Sequence, residues 1–340
     1  MGFLDSLSSL LDKEKRVIKK SHKYLDKAEK YHNDGDQQKA KEMCDKAFDY
    51  SHKHEDTFEE DDERLSKIFD RLGWLYYILG HEDAALQSER EAIETYRYNV
   101  EALNHEALIL AEKGEKEEGL KDIEEAIEID PDYKYSYGNK GDILLELDRE
   151  EEDIKSYEKA LEIDPDDISF YDRILEINER DPDIWAEKGR ALKRKGDYES
   201  AIEAFNKSLD INPNNEDIWL EKGLTLREKE NLNDAIVCFD NGIETNPDYK
   251  KLWSEKSITL QQIERYDEAL ESLNRALELD PEDIELWNRK GTILYELERY
   301  NEAVKAFDKG LSLDMEDIRM LNKKKEALKP LERYEEIITV

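Results

Sequence analysis

The sequence predicts an all-α fold, an α-solenoid of stacked helical hairpins of 34 residues each, with eight full units and one half unit. Two sets of residues share the 34-residue step: Trp185, Trp219, Trp253 and Trp287, and Pro213, Pro247 and Pro281. A fixed period of this length is typical of a solenoid, because a single hairpin buries its apolar faces only against its neighbours.

The same period places small residues at two points of each unit, counting Pro182 as position 1 of its unit. Position 8 holds Ala28, Gly73, Ala107, Gly141, Gly189, Gly223, Ser257 and Gly291. Position 27 holds Ala47, Ala92, Ala126, Ala160, Ser208, Gly242, Ala276 and Gly310. We expect helices to cross closely at both points, with the bulky residue at position 4 filling the adjacent space.

The segment from Asp183, DIWAEKGRALKRKGDYESAIEAFNKSLDINP, resembles the tetratricopeptide repeat (TPR) family. The resemblance implies paired helices stacked in a right-handed superhelix. It divides the chain into consecutive segments: an N-terminal amphipathic helix 1–20, a first TPR unit 21–54, an acidic connector 55–65, TPR units two to four in 66–167, a half unit 168–181, TPR units five to eight in 182–317, and a C-terminal capping segment 318–340.

Two of these segments carry specific expectations. The half unit 168–181 contains one helix instead of two, which predicts a bend in the array there. In the capping segment Leu321, Leu328, Leu331 and Ile337 are apolar, and Pro330 is expected to end or kink the helix. Two carboxylates depart from the apolar pattern of the second helices, Glu89 at position 24 and Asp153 at position 20.

Charge and composition exclude several classes of function. The net charge of -35 argues against nucleic-acid binding, which requires clustered Lys and Arg. No apolar run is long enough for a membrane span, and two distant cysteines indicate a reducing compartment, so we expect a cytoplasmic protein. We identify no catalytic residue, no cofactor site and no metal site. His52 and His54 beside Glu55 and Asp56 are the nearest approach to a metal site, but residues two apart do not share a helix face.

In the resembled family the first helix of each unit lines a concave groove through positions 2, 5, 9 and 12. The Lys at position 5 and Asn at position 9 with which chaperone-binding members hold a carboxylate are absent here. Two apolar patches occupy these positions instead. The first comprises Trp74, Tyr77 and Leu108. The second comprises Leu220, Leu224, Ile258 and Tyr295, with Arg190, Lys193, Arg227 and Asn288 as polar neighbours. The alternative is that position 9 residues simply pack between adjacent first helices.

These patterns favour a non-catalytic scaffold or adaptor that binds a peptide or helix of another protein in the groove. A basic partner would be attracted by the acidic surface. Two alternatives remain: a membrane-associated assembly factor tethered through residues 1–20, and a non-catalytic regulatory subunit of an enzyme complex. The tether hypothesis depends on Phe3, Leu4, Leu7, Leu10 and Leu11, which recur at helical spacing and precede a basic stretch.

Overall fold

The computed structural model describes residues 2–58, 62–333 and 335–336, with side chains from residue 10 onward except at Glu150. Within these residues the regular elements are 18 α-helices and one short 3-10 helix, and no strand occurs among them. The helices form two compact units, Met1–Ile177 (unit 1) and Asn178–Val340 (unit 2). None of the helices in the described part is long and apolar enough to cross a bilayer.

Unit 1 contains four packed helical hairpins followed by a single helix. Its helices are α1 (Gly2–Asn33), α2 (Gln37–His52), α3 (Glu63–Ile78), α4 (Glu82–Thr95), α5 (Val100–Glu112), α6 (Lys116–Ile129), α7 (Lys134–Leu145), α8 (Glu150–Ile163) and α9 (Ile168–Ile177). Each odd-numbered helix from α1 to α7 packs against the helix that follows it, and α9 packs against α8.

Unit 2 repeats the same arrangement and ends in one further helix. Its helices are α10 (Pro182–Arg194), α11 (Tyr198–Ile211), α12 (Glu216–Glu228), α13 (Leu232–Thr245), α14 (Lys250–Gln262), α15 (Tyr266–Leu279), α16 (Ile284–Glu296), α17 (Tyr300–Leu313) and α18 (Ile318–Leu328). The hairpins are α10–α11, α12–α13, α14–α15 and α16–α17, and α18 packs against α17 and α16. The chain is therefore an all-α solenoid, as the repeat period predicts.

The helix boundaries follow from local chemistry. Asp62, Asn99, Asp181 and Asp283 each precede a helix, and their side-chain oxygens accept hydrogen bonds from its first free N–H groups. The turn inside each hairpin requires a positive φ at position 15. Glycine supplies it in four hairpins, and an acidic residue adopts it in the others: Gly35, Gly80, Gly114 and Gly196, then Asp148, Glu230, Glu264 and Glu298.

The centre of each hairpin pairs a residue at position 8 with a residue at position 24, and the sizes of the two are complementary. Glycine faces a buried aromatic ring in four hairpins: Gly141 with Tyr157, Gly189 with Phe205, Gly223 with Phe239, and Gly291 with Phe307. Larger residues at position 8 go with smaller ones at position 24: Ala28 with Cys44, Ala107 with Ile123, and Ser257 with Leu273. Glycine is required opposite a ring, since a Cβ on Gly189 would lie 2.6 Å from the Phe205 ring.

The hairpin α3–α4 is the exception to this pattern. Gly73 leaves space at position 8, but the residue that fills it is Glu89 and not an aromatic side chain. Glu89 is fully buried. A carboxylate therefore occupies a core site that is apolar in every other hairpin of the described chain.

The four tryptophans at position 4 of the hairpins in unit 2 are half-buried. Trp219, Trp253 and Trp287 pack against the apolar core, as expected for position 4, and Trp219 and Trp287 lie beside the position 27 glycines Gly242 and Gly310. Their indole Nε1 atoms also donate hydrogen bonds to a backbone carbonyl six residues earlier: Trp219 to Pro213 at 2.9 Å, Trp253 to Pro247 at 2.8 Å, and Trp287 to Pro281 at 2.8 Å. These bonds fasten the loop that precedes each hairpin, because an indole N–H needs a partner and finds one there.

The N-terminal segment 1–20 is not a separate helix, because α1 runs without a break from Gly2 to Asn33. Glu14 and Val17 in this segment are buried in unit 1. The described part of the connector 55–65 contains the 3-10 helix Glu55–Thr57 and the first turn of α3, and residues 59–61 lie outside the described chain.

At the other end, α18 stops at Leu328, before Pro330 as expected. Glu332 then adopts a positive φ of 56°, which places the next turn 34 residues after Glu298. The repeat geometry therefore continues into the segment predicted as a cap. Ile337 lies outside the described residues. In the half unit, α9 is a single helix as predicted, and the bend expected there stays a prediction.

Candidate functional site

The first helices of successive hairpins lie side by side within each unit. In unit 1, α1 contacts α3, α3 contacts α5, and α5 contacts α7; in unit 2, α10 contacts α12 and α12 contacts α14. Together they form one wall in each unit, here called the first-helix wall. The residues predicted to bind a partner all belong to these helices.

Position 5 forms the seam between neighbouring first helices. Leu25, Ala186 and Leu220 are buried there, and the Asn104 side chain on α5 donates a hydrogen bond to Ser136 on the next first helix, α7, at 2.8 Å. The expectation that Leu220 contributes to a surface patch is therefore wrong, because its side chain packs into the apolar core of unit 2. Positions 9 and 12 are more accessible than position 5 among the positions predicted to line the groove.

The first apolar patch, in unit 1, is brought together by the fold. Trp74 is 42% exposed, and Tyr77 and Leu108 are half-buried. The Trp74 and Tyr77 ring centroids are 5.5 Å apart. The Tyr77 hydroxyl donates a hydrogen bond to Glu112, and burial together with that carboxylate raises the pKa of Tyr77 to about 12. The phenol therefore stays neutral and presents its ring as an apolar surface.

The second patch, in unit 2, retains Leu224, Ile258 and Tyr295, each half-buried on the wall. Tyr295 borders a cavity of about 260 Å³ between α16 and α18. The other residues that line it are Thr292, Glu296, Phe307, Asn322, Lys323 and Glu326. A larger concavity of about 570 Å³ lies between α16 and α17 and contains none of the predicted patch residues.

The polar neighbours of the second patch are already engaged within the protein. Lys193 lies 3.2 Å from Glu221, and Arg227 lies 2.7 Å from Glu255, so each ties its helix to the next first helix. Arg190 pairs with Glu187 on its own helix at 2.5 Å. Asn288 is buried and accepts a hydrogen bond from Lys323 at 3.2 Å, so it offers no free surface. These groups stabilise the wall and leave the apolar row between them.

The two cysteines lie in the interior. Cys44 and Cys238 are both free thiols and are buried. Burial raises the pKa of the Cys44 thiol to about 12 and that of Cys238 to about 11. Neither thiol is a nucleophile near neutral pH, because the reactive form is the thiolate.

The histidines that stood out in the sequence do not come together. His54 bonds to the Tyr50 carbonyl through Nδ1 at 2.7 Å, while Nδ1 of His52 lies 3.0 Å from Glu55 and 3.8 Å from Glu91. The cluster of His52, Glu55 and Glu91 is mostly exposed. A different cluster of Asp70, Glu89 and His105 forms beside the first patch, where three helices meet. The sequence gives no local signal for it, because its members are contributed by α3, α4 and α5.

Three tetratricopeptide repeat family models match the sequence, at residues 182–215, at 254–318, and at 100–133 and 135–167. No curated protein matches the chain.

Solved structures similar to this chain have low sequence identity to it. YrrB, described as a TPR protein with an unusual peptide-binding site, is 22% identical over 60% of this chain and 97% of its own, with a TM-score of 0.38. MamA from Desulfovibrio magneticus RS-1 is 20% identical over 54% of this chain and 97% of its own, with a TM-score of 0.41. Yeast Tom70 is 20% identical over 87% of this chain and 61% of its own, with a TM-score of 0.40. Taken with the helical hairpins and their 34-residue period, the family matches show that the chain belongs to the tetratricopeptide repeat family.

Proposed function

We propose that this protein is a non-catalytic scaffold that binds a segment of another protein along the first-helix wall of unit 2. The observation that supports this function is the row of Leu224, Ile258 and Tyr295, which remains partly open on three consecutive hairpins. Apolar surface bordered by polar groups is typical of protein-binding sites, and a helical wall suits an extended peptide or an amphipathic helix.

The spacing of the row defines the kind of segment that fits. Each of the three side chains comes from a different first helix, so a segment that contacts all of them must cross these helices. The cavity beside Tyr295 gives one larger apolar side chain of the partner a place to enter. The 87 acidic against 52 basic residues favour a partner with basic residues beside its apolar ones.

The test compares two matched double variants of the full chain as baits. Leu224→Asp with Ile258→Asp places two charges on the wall. Ile211→Asp with Val237→Asp places two charges at exposed apolar positions of the second helices α11 and α13. Proteins recovered from the native source are quantified by mass spectrometry, and circular dichroism verifies that both variants are folded.

The partner is expected to be recovered with the wild-type chain and with the α11–α13 variant, and to decrease at least about tenfold with the wall variant, since a charge in an apolar contact is poorly compensated. Equal recovery with all three baits would exclude the wall of unit 2 as the binding surface. Recovery that decreases with added salt would identify the basic character of the partner.

A second function is favoured by one observation at the N-terminus. Leu10 and Leu11 are 39% and 43% exposed on α1, and the neighbouring Lys13, Lys15 and Arg16 are exposed as well. This combination suits contact with an anionic membrane surface. The side chains of Phe3, Leu4 and Leu7 lie outside the described part of the chain.

Flotation with anionic vesicles tests this second function. Leu10→Glu with Leu11→Glu is preferable to deletion of residues 1–20, because the deletion would also remove the buried Glu14 and Val17. Loss of flotation in the double variant would support a membrane tether. Identical behaviour of the variant and the wild-type chain would exclude it.

A further inference from the structure

Glu89 is the most poorly compensated ionisable side chain in the described core. It is fully buried, and neither carboxylate oxygen has a hydrogen-bond partner among the described residues. Burial, and then the nearby Asp70 carboxylate, raises the pKa of Glu89 well above its usual range. A buried carboxyl that makes no hydrogen bond destabilises a fold, so an apolar residue would suit this position better unless the carboxyl binds something.

Two further ligand groups face Glu89 from the neighbouring helices. His105 Nδ1 on α5 lies 2.8 Å from Asp70 Oδ1 on α3 and 3.6 Å from Glu89 Oε1 on α4. One ligand atom of each residue lies within 4.8 Å of both others. Zinc bonds nitrogen and oxygen at about 2.0–2.2 Å, so tetrahedral ligands lie about 3.3–3.6 Å apart. The His105–Glu89 distance of 3.6 Å matches that separation, and the His105–Asp70 distance of 2.8 Å is shorter, as in a hydrogen bond.

The surroundings hold the imidazole in place, and two of the three side chains reach the surface. The Trp74 ring stacks on His105 with centroids 5.1 Å apart. The side chains of His105 and Asp70 are 26% and 17% exposed, so they link the buried Glu89 to the surface of the first-helix wall. Trp74, Glu89 and His105 line a narrow crevice together with Tyr77 and Leu108.

We propose that Asp70, Glu89 and His105 bind one divalent transition-metal ion of the zinc class, between α3, α4 and α5. A nitrogen ligand and a partly dry site favour zinc or cobalt over calcium, which takes six to eight oxygen ligands, and over magnesium, which retains several waters. Water completes the coordination sphere on the side of the wall. On binding, the metal takes the place of the proton on His105 Nδ1: in a neutral imidazole that proton moves to Nε2, and in a charged imidazole it leaves to solvent, as does any proton on Glu89.

This site is distinct from the partner-binding surface proposed for unit 2. It would fasten three consecutive helices of unit 1 through side chains, and it explains why a carboxyl occupies the core position of this hairpin. The ion would also lie directly under Trp74, so metal binding and the shape of the first patch would be linked.

The experiment uses the full chain, stripped with a chelator and titrated with Zn²⁺ by calorimetry and with Co²⁺ by visible absorption. The wild-type chain is expected to show one saturable site with a dissociation constant in the micromolar range or tighter. Glu89→Gln and His105→Gln are each expected to weaken binding at least about tenfold, as loss of a ligand does. Glu89→Gln replaces a buried carboxyl with an uncharged amide and almost no change of volume, so it is expected to remain folded.

Glu91→Gln is the matched control, because Glu91 belongs to the exposed cluster with His52 and Glu55. The proposal requires that this variant bind like the wild-type chain. It would be overturned by the absence of saturable binding, by unchanged affinity in folded Glu89→Gln, or by loss of binding in Glu91→Gln alone, which would assign the metal to the exposed cluster.

Discussion

Replacing Gly189 with alanine tests whether hairpin stability depends on the fit between positions 8 and 24. The added Cβ would lie 2.6 Å from Cε1 and 2.7 Å from Cδ1 of Phe205. Ordinary carbon contacts are about 3.5–4.0 Å, so the ring would have to move by close to an ångström. Phe205 is fully buried, so no free volume is available for that movement.

The expected cost is the difference between two effects. Overpacking of a dense core costs about 1–3 kcal/mol, and the absence of free volume around Phe205 favours the upper half of that range. Replacing a mid-helix glycine with alanine contributes about 1 kcal/mol in the opposite direction. Gly189→Ala is therefore expected to lower the free energy of unfolding by about 1–2 kcal/mol.

A double-mutant cycle separates the contact from the other effects. Gly189→Ala with Phe205→Leu gives a pair close in size to the one in the hairpin α14–α15, where Ser257 faces Leu273. In urea unfolding followed by circular dichroism, Gly189→Ala with Phe205→Leu is expected to lose less stability than the sum of the single changes, by about 1 kcal/mol. An additive result, or a Gly189→Ala chain as stable as the wild type, would refute the size-matching argument.

Three further results are expected. Glu298→Gly should raise stability by about 0.5–1 kcal/mol in thermal unfolding, because Glu298 adopts a φ of 59° that glycine adopts without strain; an unchanged or lower midpoint would contradict this. Burial, and then Glu106, raises the pKa of Asp122 to about 7. The folded chain therefore binds more protons than the unfolded chain between about pH 4 and pH 7, and Asp122 makes stability fall as pH rises through that window. The full pKa shift of Asp122 corresponds to a change of about 4 kcal/mol in the free energy of unfolding. Solvent screening of this half-buried carboxyl reduces that change to about 1–2 kcal/mol. Asp122→Asn should flatten this slope in urea titrations at several pH values, and an unchanged slope would assign it to other groups. Cys44 and Cys238 should resist alkylation in the native chain at mildly alkaline pH and react after unfolding, since burial raises both pKa values; rapid labelling of the folded chain would contradict their burial.

The period of the sequence is sufficient to predict the all-α solenoid and the residues that pack at its helix crossings. Small residues at position 8 mark a close approach of two helices whatever else the 34-residue repeat contains. Gly223 and Gly291 can therefore be assigned to helix crossings from spacing alone. The size pairing with position 24 is also visible in the sequence, since glycine accompanies Phe239 and Phe307.

The surface was harder to predict than the core. Helical spacing places position 5 and position 9 on one stripe, but it does not show that neighbouring first helices meet along position 5. Spacing alone therefore places Leu220 on an exposed patch, although its side chain is buried. Whether Leu224 and Ile258 bind a partner stays a prediction.

The cluster of Asp70, Glu89 and His105 could not be predicted from spacing. Its members occupy different positions of two successive repeats, and no other repeat contains the same combination, so periodicity provides no comparison. Glu89 was visible as a departure from the pattern, but its neighbours depend on how α3, α4 and α5 pack. Similarly, the continuation of the 34-residue period into the predicted cap is clear only from the positive φ of Glu332. In the sequence its trace is that Arg333 and Glu336 follow Arg299 and Glu302 by 34 residues.

The reciprocal fit of positions 8 and 24 makes the intact hairpin the smallest interchangeable part of this protein. A recombination event in the loop between two hairpins transfers Gly223 together with Phe239, and both halves of the contact arrive together. A crossover at the turn near Glu230 would separate them, and joining Ser257 to Phe239 would create a clash in the new hairpin. Duplication, shuffling or engineering of this array should therefore tolerate breakpoints between hairpins and reject those within them.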